Sequence, residues 1–505
     1  MSRVAVVVPV LRLRRDTAGW SYRIPAGTPC LPGTLVIIPF RNRPTLGVVW
    51  EQRDDDLASH QISQILTAQP LVLAPHRQLI EYLAEAGLCS LSTALYVWLP
   101  RWMRRLPLTR SVQLQLMQPI TANNTSQRAV ILPGRRPVQE GLLSNQSTEL
   151  LFSDTSEAQT EKAFWRIANG SALLGVGKDG AVFAPWRNLQ QLVIIDPEDI
   201  SYYREQVPYL SLLGALEELA RANRIKPQWR SQLPTAAAQA LWGSGAKGND
   251  QLPDLIGHID LRHEPAFGDV TLSLIKETLA RSQKVLILHN AYDHLGEPMP
   301  DGRRKSVTGV QGLSRDLARK LGLSELPESV VLGTRLIIQR PYEQVGLTIA
   351  LNLDQLLQTP LFADQLHGWS DLGHLLKYGG NFLLQSHYPE HPLVQSLLLG
   401  RWSQYVESRI ANRRQSGLPP YCQQIVISIK MGEGAVATGL YERLLPLIRE
   451  PWHLTYPFEG SWRKQLFTHL MLTAPLGERL PSLIRQALVA LPSPWKVQRS
   501  PWHII

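Results

Sequence analysis

The sequence predicts a multidomain α/β protein, and three observations favour this fold class. The chain has 505 residues, whereas a single hydrophobic core rarely grows beyond about 250–300 residues. Short β-rich runs separated by Pro, Gly and Asn turns crowd the start of the chain. Further on, apolar strand-like runs alternate with helical patterns, which is typical of a parallel sheet.

The amino-terminal part is predicted to be a small β-barrel-like domain that is followed by helices and covers residues 1–105. Residues 106–126 are rich in Gln, Asn and Thr and are predicted to be a linker. The predicted strands span 4–8, 22–24, 34–38 and 46–50, and the predicted helices span 76–86 and 90–98.

Residues 127–249 are predicted to form a first parallel-sheet lobe. Its predicted strands span 129–132, 149–152, 172–176 and 191–196, with a helix at 156–168. The last of these strands ends in Asp196, Pro197, Glu198 and Asp199. Acidic side chains at the carboxyl end of a buried parallel strand occupy the place where α/β proteins hold Mg²⁺ and nucleotide phosphates.

The remaining chain is predicted to hold two more units. Residues 250–417 form a second parallel-sheet lobe, and residues 418–505 form a small α+β domain. The predicted elements of that last domain are strands 424–430 and 466–473 and helices 437–449 and 478–490.

Charge points to a polyanionic partner. The net charge is +10, and residues 1–120 hold thirteen arginines but only seven acidic residues. Such an excess suits phosphate binding, although an ordinary solvated surface is the alternative.

Cysteine usage and hydropathy bear on the compartment. Cys30, Cys89 and Cys422 are too dispersed for a C-x-x-C pair or a disulfide framework, so we interpret them as buried free thiols in a reducing cytosol. His289 and His294 have no soft ligands nearby for a metal. No apolar run approaches the ~20 residues that span a bilayer. We therefore expect a cytoplasmic protein with no membrane partner and no metal.

Segments along nearly the whole chain, in order, resemble the PriA family of primosomal proteins N′. The most specific matches are 177–202, 383–392 and 418–421. The first of these keeps the family's Gly177, Phe183, Pro185, Asn188, Leu189, Ile194, Asp196, Glu198, Ser201 and Tyr202. The resemblance implies a 3′-end DNA-binding domain at 1–105 and helicase-like lobes at 127–249 and 250–417.

The chain departs from the family pattern where ATP and zinc chemistry would lie. The family's D-E-E-H box reads Asp196-Pro197-Glu198-Asp199, and the second position, which carries the family's catalytic carboxylate, is a proline that cannot accept a proton from water. Residues 133–137 offer one glycine and no lysine in place of the phosphate loop. The sensor arginines expected at 374–380 and the eight-cysteine zinc insertion are also missing from the sequence. We therefore expect degenerate lobes with no catalytic residues, a Walker B remnant at Asp196 and Glu198, and neither zinc nor ATP as a cofactor.

The resemblance also implies where DNA would bind. An aromatic ring can stack on a terminal base, which is worth ~1–3 kcal/mol, and basic side chains can contact phosphates. Packing inside the domain is the alternative for the aromatic residues, most of all for Tyr22. The candidate DNA-binding residues are Trp20, Ser21, Tyr22, Arg41 and Arg43 in the first domain and Trp462, Arg463 and Lys464 in the last.

These observations predict a replication restart protein. It would bind stalled, forked or single-stranded DNA and help to reload the primosome and replisome without ATP-driven helicase activity. One alternative is a residual ATP-binding or ATPase helicase that uses Asp196 and Glu198. Another is a protein-interaction scaffold that recruits single-strand-binding protein and primosome or helicase-loading proteins.

Overall fold

The structure is a computed structural model whose described residues form four sheets, two of them wholly parallel. The prediction of a multidomain α/β protein is confirmed at this level. The described residues are 3–13, 19–54, 58, 60–67, 69–105, 125–133, 148–152, 155–197, 199–202, 204, 210–231, 247–248, 255–289, 310–334, 337, 342–351, 353–354, 371–373, 375–376, 378, 380–419, 421–430, 434–462, 465–492 and 495–499.

The first sheet is six-stranded and curled, with strand order β5-β2-β1-β4-β3-β6. Its two edge strands are separated by only two residues of chain, a reach of about 11 Å, so the sheet must curl until its edges approach each other. The strands are β1 (Arg3–Pro9), β2 (Trp20–Arg23), β3 (Leu35–Phe40), β4 (Arg43–Asp54), β5 (His60–Gln61) and β6 (Gln64–Ile65).

Three helices follow this sheet: α1 (Ala74–Ala86), α2 (Leu91–Trp98) and α3 (Arg101–Arg104). Ser90 caps α2 by accepting a hydrogen bond from the Thr93 amide at 3.2 Å. The helix ends just before Leu99, since the residue that precedes Pro100 is disfavoured in helical backbone.

The second sheet is parallel, with order β12-β11-β10-β7-β9-β8. The second half of β10, residues 192–195, is a continuous apolar run because both faces of the strand are covered there. The elements are β7 (Gln127–Ile131), β8 (Thr148–Leu151), α4 (Glu157–Ala168), β9 (Leu174–Gly177), α5 (Asp179–Val182), β10 (Leu189–Ile195), α6 (Leu212–Ala222), β11 (Gln228–Ser231) and β12 (Lys247–Gly248).

The first and second sheets share one hydrophobic core. Buried side chains of α1, such as Leu79 and Leu83, belong to the same cluster as Leu212 and Leu216 of α6. The two helices approach closely at Gly214, where an added Cβ would lie 2.1 Å from the Tyr82 hydroxyl oxygen. The amino-terminal sheet, its helices and the second sheet are therefore packed together.

The third sheet is also parallel, with order β13-β17-β16-β14-β15. Its elements are β13 (Leu255–Asp260), α7 (Asp269–Ala280), β14 (Lys284–His289), α8 (Val310–Leu321), β15 (Val330–Gly333), β16 (Val345–Leu351), β17 (Asn381–Ser386), α9 (Pro392–Leu398) and α10 (Trp402–Gln415).

The carboxy-terminal domain is an antiparallel sheet, with β21 paired to β18, β19 and β20, and two helices. Its core cluster includes Leu88 from the turn between α1 and α2. The Arg485 guanidinium also donates to the carbonyl oxygens of Ala84 and Cys89, at 3.5 and 3.4 Å. The elements are β18 (Cys422–Lys430), α11 (Gly434–Leu444), β19 (His453–Leu454), β20 (Phe458–Trp462), β21 (Gln465–Pro475), α12 (Ser482–Val489) and β22 (Lys496–Arg499).

Two predicted helix boundaries in this domain are wrong, and proline explains both. The helix predicted to run to residue 449 ends at Leu444 and gives way to a short 3₁₀ turn that contains Pro446. The helix predicted to start at residue 478 starts at Ser482, because Pro481 has extended backbone and stands at the N-cap. Within the described ranges, no helix has both the length and the apolar character needed to cross a membrane.

Candidate nucleic-acid interface

A two-residue turn joins β3 to β4 and projects from one end of the curled sheet. Phe40 and Arg43 are paired across it. Arg41 and Asn42 have φ values of 50° and 60°, and positive φ at both central residues is typical of the type I′ turn that matches strand twist. Both side chains and that of Arg43 are exposed, so the turn presents two guanidinium groups to solvent.

Trp20 lies beside this turn. Its ring is half-buried and meets the Phe40 ring edge-on, with centroids 4.8 Å apart and planes 74° apart. The Arg41 guanidinium lies over the other ring of this pair, 5.5 Å from the Phe40 centroid. The structure therefore brings together three of the predicted residues, Trp20, Arg41 and Arg43, and we call them with Phe40 the hairpin-tip cluster.

The hairpin-tip cluster has the chemistry to hold a strand end. A partly exposed indole can stack on a base of any sequence, and two guanidinium groups can contact phosphate oxygens without reading sequence. Phe40 was not predicted as a site residue. It is only 8% exposed, and its ring packs against the Trp20 ring.

Tyr22 belongs to the interior of the sheet. Its side chain is 3% exposed, and its hydroxyl donates to the Pro39 carbonyl oxygen at 3.1 Å. Burial raises the pKa of this phenol. This geometry favours packing, the alternative interpretation, for Tyr22. Ser21 is half-buried and points to the opposite face of the strand, where it is paired with Val6.

The second predicted DNA-binding group begins at the carboxyl end of β20. Trp462 is the last residue of β20, where it is paired with Gln465, but its side chain lies outside the described residues. Arg463 and Lys464 lie outside them as well.

The acidic remnant sits in a tight turn after β10. The Asp199 amide donates to the Asp196 carbonyl oxygen at 2.9 Å, and Pro197 occupies the turn between them. Asp196 is 4% exposed and has a φ of 48°, a strained value for a residue other than glycine. The Asp199 carboxylate accepts a hydrogen bond from the Ser201 amide at 2.8 Å. Glu198 and residues 134–137, part of the segment that the resemblance places at the phosphate loop, lie outside the described residues.

The three cysteines do not fit a zinc site. Each is a buried free thiol, as predicted, and they belong to different parts of the fold. Burial raises the pKa of Cys30 to about 11 and that of Cys89 to about 12, which disfavours the thiolate that zinc requires. Over the described ranges, His, Cys, Asp and Glu do not gather into a group of three able to hold a metal.

Residues 3–100 match the family model of the PriA 3′DNA-binding domain (3′BD). The matched stretch runs from β1 through α2 and contains the whole hairpin-tip cluster. The match thus falls on the part of the chain where geometry, independently, brings an exposed turn, two arginines and a half-buried tryptophan together.

Proposed function

The chain belongs to the PriA family of primosomal proteins N′, and on that premise we propose that it is a DNA-binding replication restart protein. Its curled amino-terminal domain would engage the 3′ end of a strand at stalled or forked DNA. The protein would then help to reload the primosome and replisome, through contacts with single-strand-binding protein and helicase-loading proteins.

The hairpin-tip cluster is the observation that carries this proposal. Trp20 supplies a stacking surface, and Arg41 and Arg43 supply cations at an exposed turn. Stacking is sensitive to a free base, whereas phosphate contacts are not. A site that combines the two favours a strand end over continuous duplex.

We also propose that the protein acts without hydrolysing ATP. The residue between Asp196 and Glu198 is Pro197, which has no side-chain acceptor to orient water, and the segment in place of the phosphate loop lacks the lysine that would hold phosphates. No zinc ion is expected to be bound, since the three cysteines are dispersed and buried.

A titration of forked, blunt duplex and single-stranded DNA, each with and without ATP and over a range of salt, tests the proposal. We expect tighter binding to substrates with an exposed 3′ end, an affinity that falls steeply with salt, and no change on adding ATP. Equal affinity for all three substrates would contradict end recognition.

DNA-stimulated ATP turnover that disappears in Asp196→Ala would instead support the residual-enzyme alternative. Binding to none of the DNA substrates would leave the scaffold alternative. Pro197→Glu is a useful companion variant: it should gain no ATPase activity, because the phosphate loop is still missing.

A further inference from the structure

A cavity of about 930 Å³ lies between the amino-terminal helices and the second sheet. Its walls come from α2 and α3 on one side and from the carboxyl ends of β7, β8 and β9 on the other. Among the residues that line it are five cationic side chains and only two carboxylates, Glu157 and Asp179. The cationic ones are Arg101, Arg104, Arg105, Lys178 and Arg204.

Two arginines share one aromatic ring at this cavity. The Arg104 guanidinium lies 4.3 Å from the centroid of Tyr96, and that of Arg12 lies 5.1 Å from the same centroid. The Arg104 Nε atom is buried and has no hydrogen-bond partner among the described residues. A buried donor without a partner calls for an acceptor that is not part of this chain's described structure, such as water or an anion.

The positive charge here is poorly compensated. Arg204 is one-fifth exposed, and its nearest carboxylate, Asp179, is 3.8 Å away. Asp179 is shared at the same distance with Lys178. Burial lowers the pKa of both Arg104 and Arg204, and the neighbouring Arg12 lowers each of them further. Partly buried cations that repel one another are stabilised by an anion that binds between them.

The cavity is distinct from the acidic remnant. In the second sheet, β10 lies on one side of β7, and β9 and β8 lie on the other. Asp196 directly follows β10 and is not among the lining residues, although Arg204, which comes later in the same segment, is one of them. The other lining residues of this sheet lie at or after the ends of β7, β8 and β9. Both carboxylates of the lining have cations as neighbours: Asp179 lies 3.8 Å from Lys178 and from Arg204, and Glu157 lies 4.0 Å from Arg105.

The same end of the curled sheet carries both the cavity rim and the hairpin-tip cluster. Val7 of β1 is paired with Trp20 of β2, and the amide of Val10 donates to the Leu46 carbonyl oxygen, so the chain leaves β1 alongside the start of β4. Arg12 follows directly and is exposed. Its guanidinium lies 5.1 Å from the centroid of Tyr96, the ring that it shares with the lining residue Arg104.

We propose that this cavity binds a backbone phosphate of the DNA strand whose 3′ end is held at the hairpin-tip cluster. The inference rests on the proposed function. It adds a second, internal contact point, in which Arg104 and Arg204 bind the phosphodiester oxygens and Arg12 guides the strand between the two places. A free nucleotide has the same phosphate chemistry, and the experiment below distinguishes the two sources.

The test uses the full chain and a duplex with a single-stranded 3′ tail. Single linkages of the tail are replaced, one at a time, by neutral methylphosphonates, and binding is followed by fluorescence anisotropy. The unmodified chain should lose affinity when one of a few adjacent internal linkages is neutral, separately from any effect at the terminal linkage. An affinity that does not change at any internal linkage would overturn the inference. This part of the experiment uses only the unmodified protein, so it does not depend on whether a variant folds.

Arg104→Ala and Arg204→Ala supply the second arm, with Arg281→Ala as the control. Arg281 is an exposed arginine of the third sheet's helix layer and pairs with Glu277. Each cavity variant should lower the slope of log affinity against log salt by about 0.7, the value for one lost single-strand phosphate contact. Each should also abolish the sensitivity to the internal methylphosphonate. A slope equal to that of Arg281→Ala would overturn the inference.

The outcomes separate the two claims. If the unmodified chain binds no DNA, the proposed function fails together with this inference. If it binds 3′-tailed DNA and the cavity variants change nothing, only the inference fails. Inorganic triphosphate that binds the unmodified chain but not Arg104→Ala, together with a flat methylphosphonate scan, would assign the cavity to a free polyphosphate and overturn the DNA-strand assignment.

Discussion

Trp20 and Tyr22 lie on the same face of one strand but differ in how deeply they are buried. They are two positions apart on β2, so their side chains point the same way. Tyr22 lies within the sheet and is buried, whereas Trp20 is the first residue of the strand and is half-buried. The position along the strand, and not the residue type, leaves one of the two rings partly exposed.

Replacing Trp20 by Ala should therefore weaken binding selectively. We expect a loss of about 1–3 kcal/mol on DNA with an exposed 3′ end and little loss on blunt duplex, since only an unpaired base can stack on the ring. Parallel titrations of the two substrates measure the difference.

Tyr22→Phe is the matched control. It removes the hydroxyl that donates to Pro39 and should lower the free energy of unfolding by about 1 kcal/mol without altering the preference for a 3′ end. Equal losses on both substrates for Trp20→Ala would assign the indole to packing.

His76 makes the stability of the protein dependent on pH. It lies in α1 and is 1% exposed, and burial lowers its pKa to about 4, with Arg187 also acting to lower it. In the unfolded chain its pKa is near 6.5, so between these values the unfolded state binds the extra proton. The stabilisation is complete above about pH 6.5 and is lost as the pH falls towards about 4.

We expect roughly 3 kcal/mol of this pH dependence to come from His76. Urea unfolding at neutral pH and near pH 4.5 measures it, and His76→Gln, whose side chain can still accept from the Leu73 amide as Nδ1 does now, should flatten the difference. An unchanged difference would show that other titrating groups carry the effect, among them His258, His391 and His469, whose pKa values are also lowered by burial.

At the scale of elements, the β3–β4 hairpin combines an unfavourable backbone conformation with positively charged side chains. Neither central residue is glycine, although both have positive φ, and asparagine tolerates that region better than arginine does. Arg41→Asn should therefore remove one cation while it keeps the turn.

For Arg41→Asn we expect the affinities for forked and for blunt DNA to fall alike, and the slope of log affinity against log salt on duplex to decrease by about 0.9. We expect the melting temperature to be unchanged or slightly higher. Salt titrations on both substrates and a thermal melt check these outcomes. A loss confined to 3′-ended DNA would mean that Arg41 acts on the strand end and not on the phosphates at large.

The contact between α1 and α6 is another element-scale feature with a sharp test. Alanine in place of a helical glycine normally stabilises by about 0.5–1 kcal/mol. At Gly214, however, the added Cβ would lie 2.1 Å from the Tyr82 hydroxyl oxygen, so Gly214→Ala should destabilise by about 1–3 kcal/mol.

A double-mutant cycle with Tyr82→Phe isolates this contact. Removing the hydroxyl should recover most of the loss that Gly214→Ala causes, because the nearest remaining ring atom is 3.2 Å away. Additive losses in the two variants would contradict a direct clash.

At the scale of the whole molecule, the sequence predicts the sheets better than it predicts how they join. The continuous apolar run that begins at Leu192 identifies a parallel strand, because a strand that is buried on both faces has apolar residues at every position. The pairing of α1 with α6 has no such signature, since Leu79 and Leu212 are far apart in sequence and each fits a helix face equally well against any partner.

The candidate site was predictable for similar reasons, and only in part. Family resemblance pointed to Trp20 and Arg41, and the structure brings them together. The resemblance could not distinguish the buried Tyr22 from the half-buried Trp20, because that difference depends on where the strand begins. The grouping of the cavity arginines, Arg104 and Arg204, could not be predicted for a further reason. They belong to segments that lie a hundred residues apart in sequence and meet only through the shared core.

That shared core also sets the order of events during synthesis. The face of α1 that carries Leu79 and Leu83 is completed only when α6 has been made, more than a hundred residues after α3 ends. At ordinary elongation rates this takes about 6 to 24 s. For that interval the part of this face that α6 covers is without its partner, and we expect the ribosome-bound chain to be a client for chaperones that bind apolar helices.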